Sequence, residues 1–158
     1  MRATTVGAHE FEVQSAVEHE FRRLGAERLA FDSIVAGGKN ACILHYNTNR
    51  DQLKAGELLL IDAGAEVGGY SGDCTHTFPI SGKFSSAQAE LYDLVLSAQH
   101  AAFTEIKPNM PYDAAHQSAV KVITQGLIDL KIIAETDLNS AIDQGLYKPF
   151  YMHQTGHW

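Results

Sequence analysis

The chain has 158 residues, 45% of them hydrophobic and 20% charged, with a formal net charge of −7. That length suffices for one domain with a sizeable core, and the negative balance argues against nucleic acid or an anionic membrane as partner, because phosphate binding needs clustered Lys and Arg. No apolar run approaches the roughly 18 residues of a membrane-spanning helix, no apolar signal segment opens the chain, and Cys42 and Cys74 are too few for a disulfide framework, so a cytoplasmic protein with reduced thiols is expected.

Residues 8 to 25 read as an amphipathic helix, with Phe11, Val13, Val17, Phe21 and Leu24 on one stripe and Gly25 placed to stop it. His9 and His19 fall in its polar part and read as surface residues. AFDSIVA (30 to 36) has the composition of a strand ended by Gly37-Gly38, and Ala41 to Tyr46 reads as its hairpin partner, followed by the polar loop NTNRD. His45 would then close that second strand. On the residues alone it is either a satisfied strand-end histidine or a functional group.

Leu58 to Ile61 form a short apolar run, read as a buried strand, that meets a charge at Asp62. Gly68-Gly69 offers a tight turn, and Tyr70 opens a return strand carrying Asp73. Two registers are open. A turn at Val67-Gly68 sets Asp62 opposite Asp73, whereas a turn at Gly68-Gly69 sets it opposite Thr75 with Asp73 on the diagonal. Either way the alternation of side chains puts both carboxylates on one face. Like charges so placed repel, so a buried pair needs a shared proton or a cation. Alternatively, both aspartates sit in solvated turns, where Asp is common.

Ser81 to Phe84 read as a loop. Ser85 has the character of a helix N-cap, with Gln88 three residues on, and Leu91, Leu94, Val95, Ala98, Ala102 and Ile106 trace a helical face to about Lys107. Pro108 and Pro111 break it. A second helix spans about Tyr112 to Leu130, with His100 and His116 on these two helices as packing or surface residues. Thr136-Asp137 starts a short helix to about Gln144. Tyr147 to Met152 reads as a strand or extended segment that delivers His153 and His157, and imidazole with carboxylate is the ligand mixture of Zn, Mn, Co or Fe sites. The chain stops at Trp158 without a polar tail, which reads as the end of a fragment.

Taken together, four motifs resemble the aminopeptidase P family: IDAG with an eleven-residue step from Asp62 to Asp73 and then Thr75 and TFP, ILHY at 43 to 46, and HxxGHW at 153 to 158. These proline-specific metallo-aminopeptidases share the pita-bread fold with prolidase and methionine aminopeptidase. The resemblance implies an α+β fold, incomplete here, with helices on one face of a curved, mostly antiparallel sheet. Residues 1 to 158 would be part of one catalytic domain. It implies that Asp62 binds one metal, Asp73 bridges two and His157 binds the second, with His45 and His153 near the substrate. Two glutamate ligands and a further histidine would lie beyond Trp158, so the isolated chain would be inactive. The implied cofactor is a pair of divalent ions, Mn²⁺ with Co²⁺ or Zn²⁺ as alternatives. The implied substrate is a peptide with proline in second position, cut by a homo-oligomeric parent. Prolidase, which takes only Xaa-Pro dipeptides, is the alternative within the enzyme class, and a non-catalytic peptide-binding module is the alternative outside it.

Overall fold

The computed structural model describes residues 4–134 and 136–157. It contains two compact units, the first ending at Ser85 and the second running from Ser86.

The first unit opens with helix α1, Glu10–Arg23. It ends as its sequence dictates. Gly25 takes a φ of +97°, the Gly25 N–H donates to Arg22 O (3.0 Å) and the Ala26 N–H to Phe21 O (2.9 Å), a Schellman closure that glycine enters without a Cβ penalty. Strands follow at β1 (Arg28–Leu29), β2 (Ile34–Gly37), β3 (Leu58–Ala63), β4 (Ala65–Val67), β5 (Tyr70–Ser71) and β6 (Cys74–Pro79). They pair antiparallel into two three-stranded sheets, β1-β4-β5 and β2-β3-β6.

One hairpin runs through both sheets. Val67 pairs with Tyr70 and Glu66 with Ser71 at its tip, Ala63 with Cys74 and Asp62 with Thr75 further down. The turn is Gly68-Gly69, both at positive φ (+59° and +80°), as a two-residue turn compatible with strand twist requires. Of the two registers open from sequence, the one opposing Asp62 to Thr75 is therefore formed. Gly64 and Gly72 mark the break between the sheets. A Cβ on Gly64 would lie 1.8 Å from Gly72 O, so the backbones approach there as only glycine permits.

Alternation along β3 separates two environments. Leu59 and Ile61 face α1 and pack with Val13, Val35, Leu53, Phe78 and Ile80 in the main core. Leu60, on the opposite face, packs against a second cluster of Ile34, Ala36 and Tyr46, and Asp62 follows it on that face by register.

Ala41 to Tyr46 is not the hairpin partner of β2. The segment forms a 3₁₀ helix at Gly38–Cys42 followed by turns, and β2 pairs with β3 alone. Two outward N–H groups of β2 are satisfied by side chains instead: Val35 N–H donates to Asn49 Oδ1 (3.1 Å) and Gly37 N–H to Glu10 Oε1 (2.8 Å). With those donors occupied, a returning strand has no ladder to join.

In the second unit, α2 (Ser86–Glu105) and α3 (Ala114–Asp129) pack closely around Ala98, Ala102 and Ala119. A Cβ on Gly126 would sit 2.2 Å from Leu94 Cδ1. The short helix α4, Leu138–Asp143, is capped by the Asp137 carboxylate, which accepts from Asn139 N–H (3.3 Å) and Ser140 N–H (2.9 Å). Residues 147–152 are not a strand. Gly145 (φ +66°) closes α4, and the Phe150 and Tyr151 N–H groups both return to Tyr147 O at 2.9 Å. Local turn bonds have taken the donors that a sheet would need.

The Gly64–Gly72 approach makes an asymmetric prediction. Gly64→Ala should destabilise the protein by ~1–3 kcal/mol or more, the range of overpacking penalties, whereas a Cβ on Gly72 meets nothing closer than Ala65 O at 3.5 Å and Gly72→Ala should cost much less. Urea unfolding of both variants measures this, and equal losses would remove the asymmetry.

Candidate metal centre

Asp62 is the penultimate residue of β3, half-buried between Ile34 of β2 and Thr75 of β6. The Thr75 hydroxyl donates to Asp62 Oδ1 at 2.7 Å, which orients the carboxylate and leaves it charged acceptor capacity. Asp73 is exposed and stands between Gly72 and the start of β6, two residues before Thr75. It also borders a cavity of about 450 Å³ on the α1 side, with Val17, Phe21, Ile61, Ala63 and His76 among the other lining residues. Asp62 and Asp73 thus belong to one hairpin within one unit, and that much of the sequence reading is realised.

His45 is not at a strand end. It is exposed, at a φ of +54°, in the turn after the 3₁₀ helix. The next residue, Tyr46, is buried against Ile34 and Ala36, so the turn is tied to the sheet face from which Asp62 emerges. Tyr46 has its acidity suppressed, with the pKa pushed up to about 12 by burial first and the Glu10 carboxylate second.

His153 and His157 belong to the second unit, on an exposed segment after the turns that follow α4. His153 Nδ1 lies 2.9 Å from Gln154 O, which makes it the protonated nitrogen of that ring. The ring meets Tyr151 edge-on, with centroids 5.0 Å apart. Tyr151 packs into the apolar cluster between α2 and α3 and contacts His116 of α3. The Thr155 hydroxyl, between the two histidines, is bonded to both the Tyr151 hydroxyl and His116 Nδ1, the latter at 3.1 Å. Sequence reading placed His116 as a packing or surface residue and missed that it holds this segment. No local signal marks such a role, because Thr155 is 39 residues away. Trp158, the last residue of the HxxGHW segment, lies outside the described residues.

Carboxylate and imidazole groups are the right kinds of donor for a divalent ion. Neither unit by itself brings three His, Cys, Asp or Glu side chains of the described residues into a cluster that could hold one. The fit is thus one of donor type and of a shared hairpin for the aspartates. No helix among the described residues is long and apolar enough to cross a membrane, and Cys42 and Cys74 are both free and exposed.

The architecture combines helices with antiparallel sheets in an α+β arrangement, and its carboxylate and imidazole groups are donor types that metal-dependent hydrolases use. The chain belongs to metallopeptidase family M24, whose model matches residues 1–158. It is 46% identical over 158 residues to the Xaa-Pro aminopeptidase of Haemophilus influenzae, covering all of this chain and 36% of that protein. To the Escherichia coli Xaa-Pro aminopeptidase it is 39% identical over 152 residues, covering 96% of this chain and 34% of that one. It superposes on the Pseudomonas aeruginosa aminopeptidase PepP with a TM-score of 0.96 at 46% identity, over 99% of this chain and 36% of the other. A variant of E. coli aminopeptidase P solved with substrate gives 0.94 at 38% identity, over 98% and 35%. The fold is therefore the pita-bread fold in part, and the chain spans about a third of the length of the curated relatives it matches.

The His116 environment gives a test in solution. Burial first and the nearby His153 second lower its pKa from the ordinary 6.5, against a smaller opposing pull from Asp113. Its stabilising contribution is thus complete above 6.5 and fades as pH falls toward the lowered native value. NMR titration should find the His116 imidazole titrating below 6.5 and shifted upward in His153→Ala. A midpoint at or above 6.5 would contradict the placement.

Proposed function

We propose that this chain is part of the catalytic domain of a metal-dependent aminopeptidase that releases the N-terminal residue from peptides with proline in second position. Support comes from the family match along the whole chain and from relatives named for that activity. The observation that carries the reading is the hairpin, in which Asp62 is oriented by Thr75 and Asp73 follows in the same register at the sheet break.

In this reading Asp62, Asp73 and His157 hold divalent metal together with groups that this chain does not supply. A bound metal pair would polarise the scissile carbonyl and lower the pKa of a water molecule at neutral pH. Asp62 contributes a carboxylate fixed by one hydroxyl. Asp73 would contribute a second carboxylate, whose charge an amide could not replace. His45 and His153 contact the peptide rather than the metal. Oxygen donors with one imidazole suit Mn²⁺, with Co²⁺ and Zn²⁺ able to replace it. We further propose a cytoplasmic homo-oligomer whose partners are peptides and not nucleic acid or membrane, in keeping with the charge of −7.

The protein carrying this chain should hydrolyse an Xaa-Pro-Xaa tripeptide with Mn²⁺ and stop when a chelator is added. Asp73→Asn should lose nearly all activity, by a factor of at least ~100, the scale of losing one preorganised charged group. Chelator-resistant cleavage would remove the metal mechanism. Cleavage of Xaa-Pro dipeptides alone would replace the aminopeptidase with a dipeptidase.

A further inference from the structure

Glu10 is the most deeply buried charged side chain among the described residues, with 0% exposure, and the chemistry above makes no use of it. An ionised carboxylate in such a place is costly unless it is fully hydrogen-bonded. Its two oxygens accept four bonds: from Gly37 N–H (2.8 Å), Asn40 Nδ2 (3.0 Å), Tyr46 Oη (2.8 Å) and Asp51 N–H (2.9 Å). Asn40 Nδ2 also reaches Asp51 Oδ2 at 2.9 Å. The carboxylate sits at the first residue of α1, where the helix end favours negative charge.

The donors come from the end of β2, the 3₁₀ helix, Tyr46 and Asp51. They bracket the segment from 38 to 51 that replaced the expected strand, and His45 lies inside it. Burial does not hold the turn around His45, since Ile43 and Leu44 are 54% and 59% exposed. Tyr46 is the neighbouring anchor. Its ring packs on Ile34 and Ala36, its hydroxyl is fixed by Glu10, and Ile34 is the register partner of Asp62.

We propose that Glu10 is a positioning residue for His45, acting through the Tyr46 hydroxyl to hold the His45 turn over the sheet face that carries Asp62. The inference rests on the reading that His45 contacts substrate. A mere packing role for the 38–51 segment would need no charge, because buried ionic groups are often replaceable by apolar ones without loss of stability. The charge instead fixes one arrangement of four donors, and with it one placement of a turn that has few apolar contacts of its own.

The test uses the protein carrying this chain, loaded with Mn²⁺. Glu10→Gln and Tyr46→Phe, both near-isosteric, should bind metal as the parent does but lose roughly 10- to 100-fold in kcat/KM on an Xaa-Pro-Xaa tripeptide, the scale of a small misplacement of a catalytic contact. Adding Tyr46→Phe to His45→Ala should cost nothing beyond His45→Ala alone, because both changes remove one function. A purely structural role would instead make the two losses additive, which would overturn the proposal. The His45 imidazole resonance, followed in the metal-free protein because Mn²⁺ is paramagnetic and assigned by its loss in His45→Ala, gives a readout independent of turnover. It should shift in Glu10→Gln and Tyr46→Phe, and an unmoved resonance in both would overturn the positioning role even for a protein that hydrolyses the peptide. Absence of hydrolysis by the parent would remove the aminopeptidase reading, while the resonance would still decide whether Glu10 positions His45.

Discussion

The hairpin of the first unit depends on one close contact, the passage of Gly64 against the Gly72 carbonyl. Antiparallel strands keep one register from the Gly68-Gly69 turn down to Pro79, yet the hairpin serves two sheets. A continuous ladder could not change sheets without a break, and a side chain at the break would push the strands apart. Glycine at 64 removes that obstacle. The consequence for chemistry is direct: Asp62 is held just before the break inside the inner ladder, and Asp73 stands at it on the return path.

A second device is the use of side chains as a sheet edge. β2 has a neighbour on one side only, and an unpaired edge invites association with other strands. Asn49 and Glu10 occupy its outward donors. Asn49 also donates to Ser33 O (2.7 Å) and Gln14 Oε1 (3.0 Å), so one amide joins the strand, the loop and α1. The N–H groups of Val35 and Gly37 on this edge are thus paired rather than orphaned. The loop from 38 to 51 is in effect a hydrogen-bonded cover.

What could be read from sequence follows from how local each determinant is. Gly25 ends α1, Asp137 begins α4 and Gly68-Gly69 turns the hairpin, each through its own backbone angles or a bond within a few residues. The alternation that gave Asp62 its face is equally local. The 41–46 segment misled because its composition suits a strand, while its fate was decided by Glu10, which bonds Tyr46 across 36 residues. The 147–152 segment misled in the opposite way. Its aromatic run looks extended, yet bonds three and four residues long curl it. The roles proposed for His45, His153 and His157 rest on the resemblance to aminopeptidase P alone, because no periodicity distinguishes a ligand from a surface histidine.

Strand parity also separates stability from chemistry. Along β3 the odd positions Leu59 and Ile61 join the core against α1, while the even position Asp62 stands on the other face beside Thr75. Removing the Asp62 carboxylate would leave Leu59 and its neighbours in place, and truncating Leu59 would weaken the sheet that aims Asp62. A change at Leu59 therefore acts on the packing of the sheet, whereas a change at Asp62 leaves that packing in place. The same division explains why an apolar run of four residues can end in a charge. The run builds the support, and its last turn outward delivers a group that a buried strand could not otherwise tolerate.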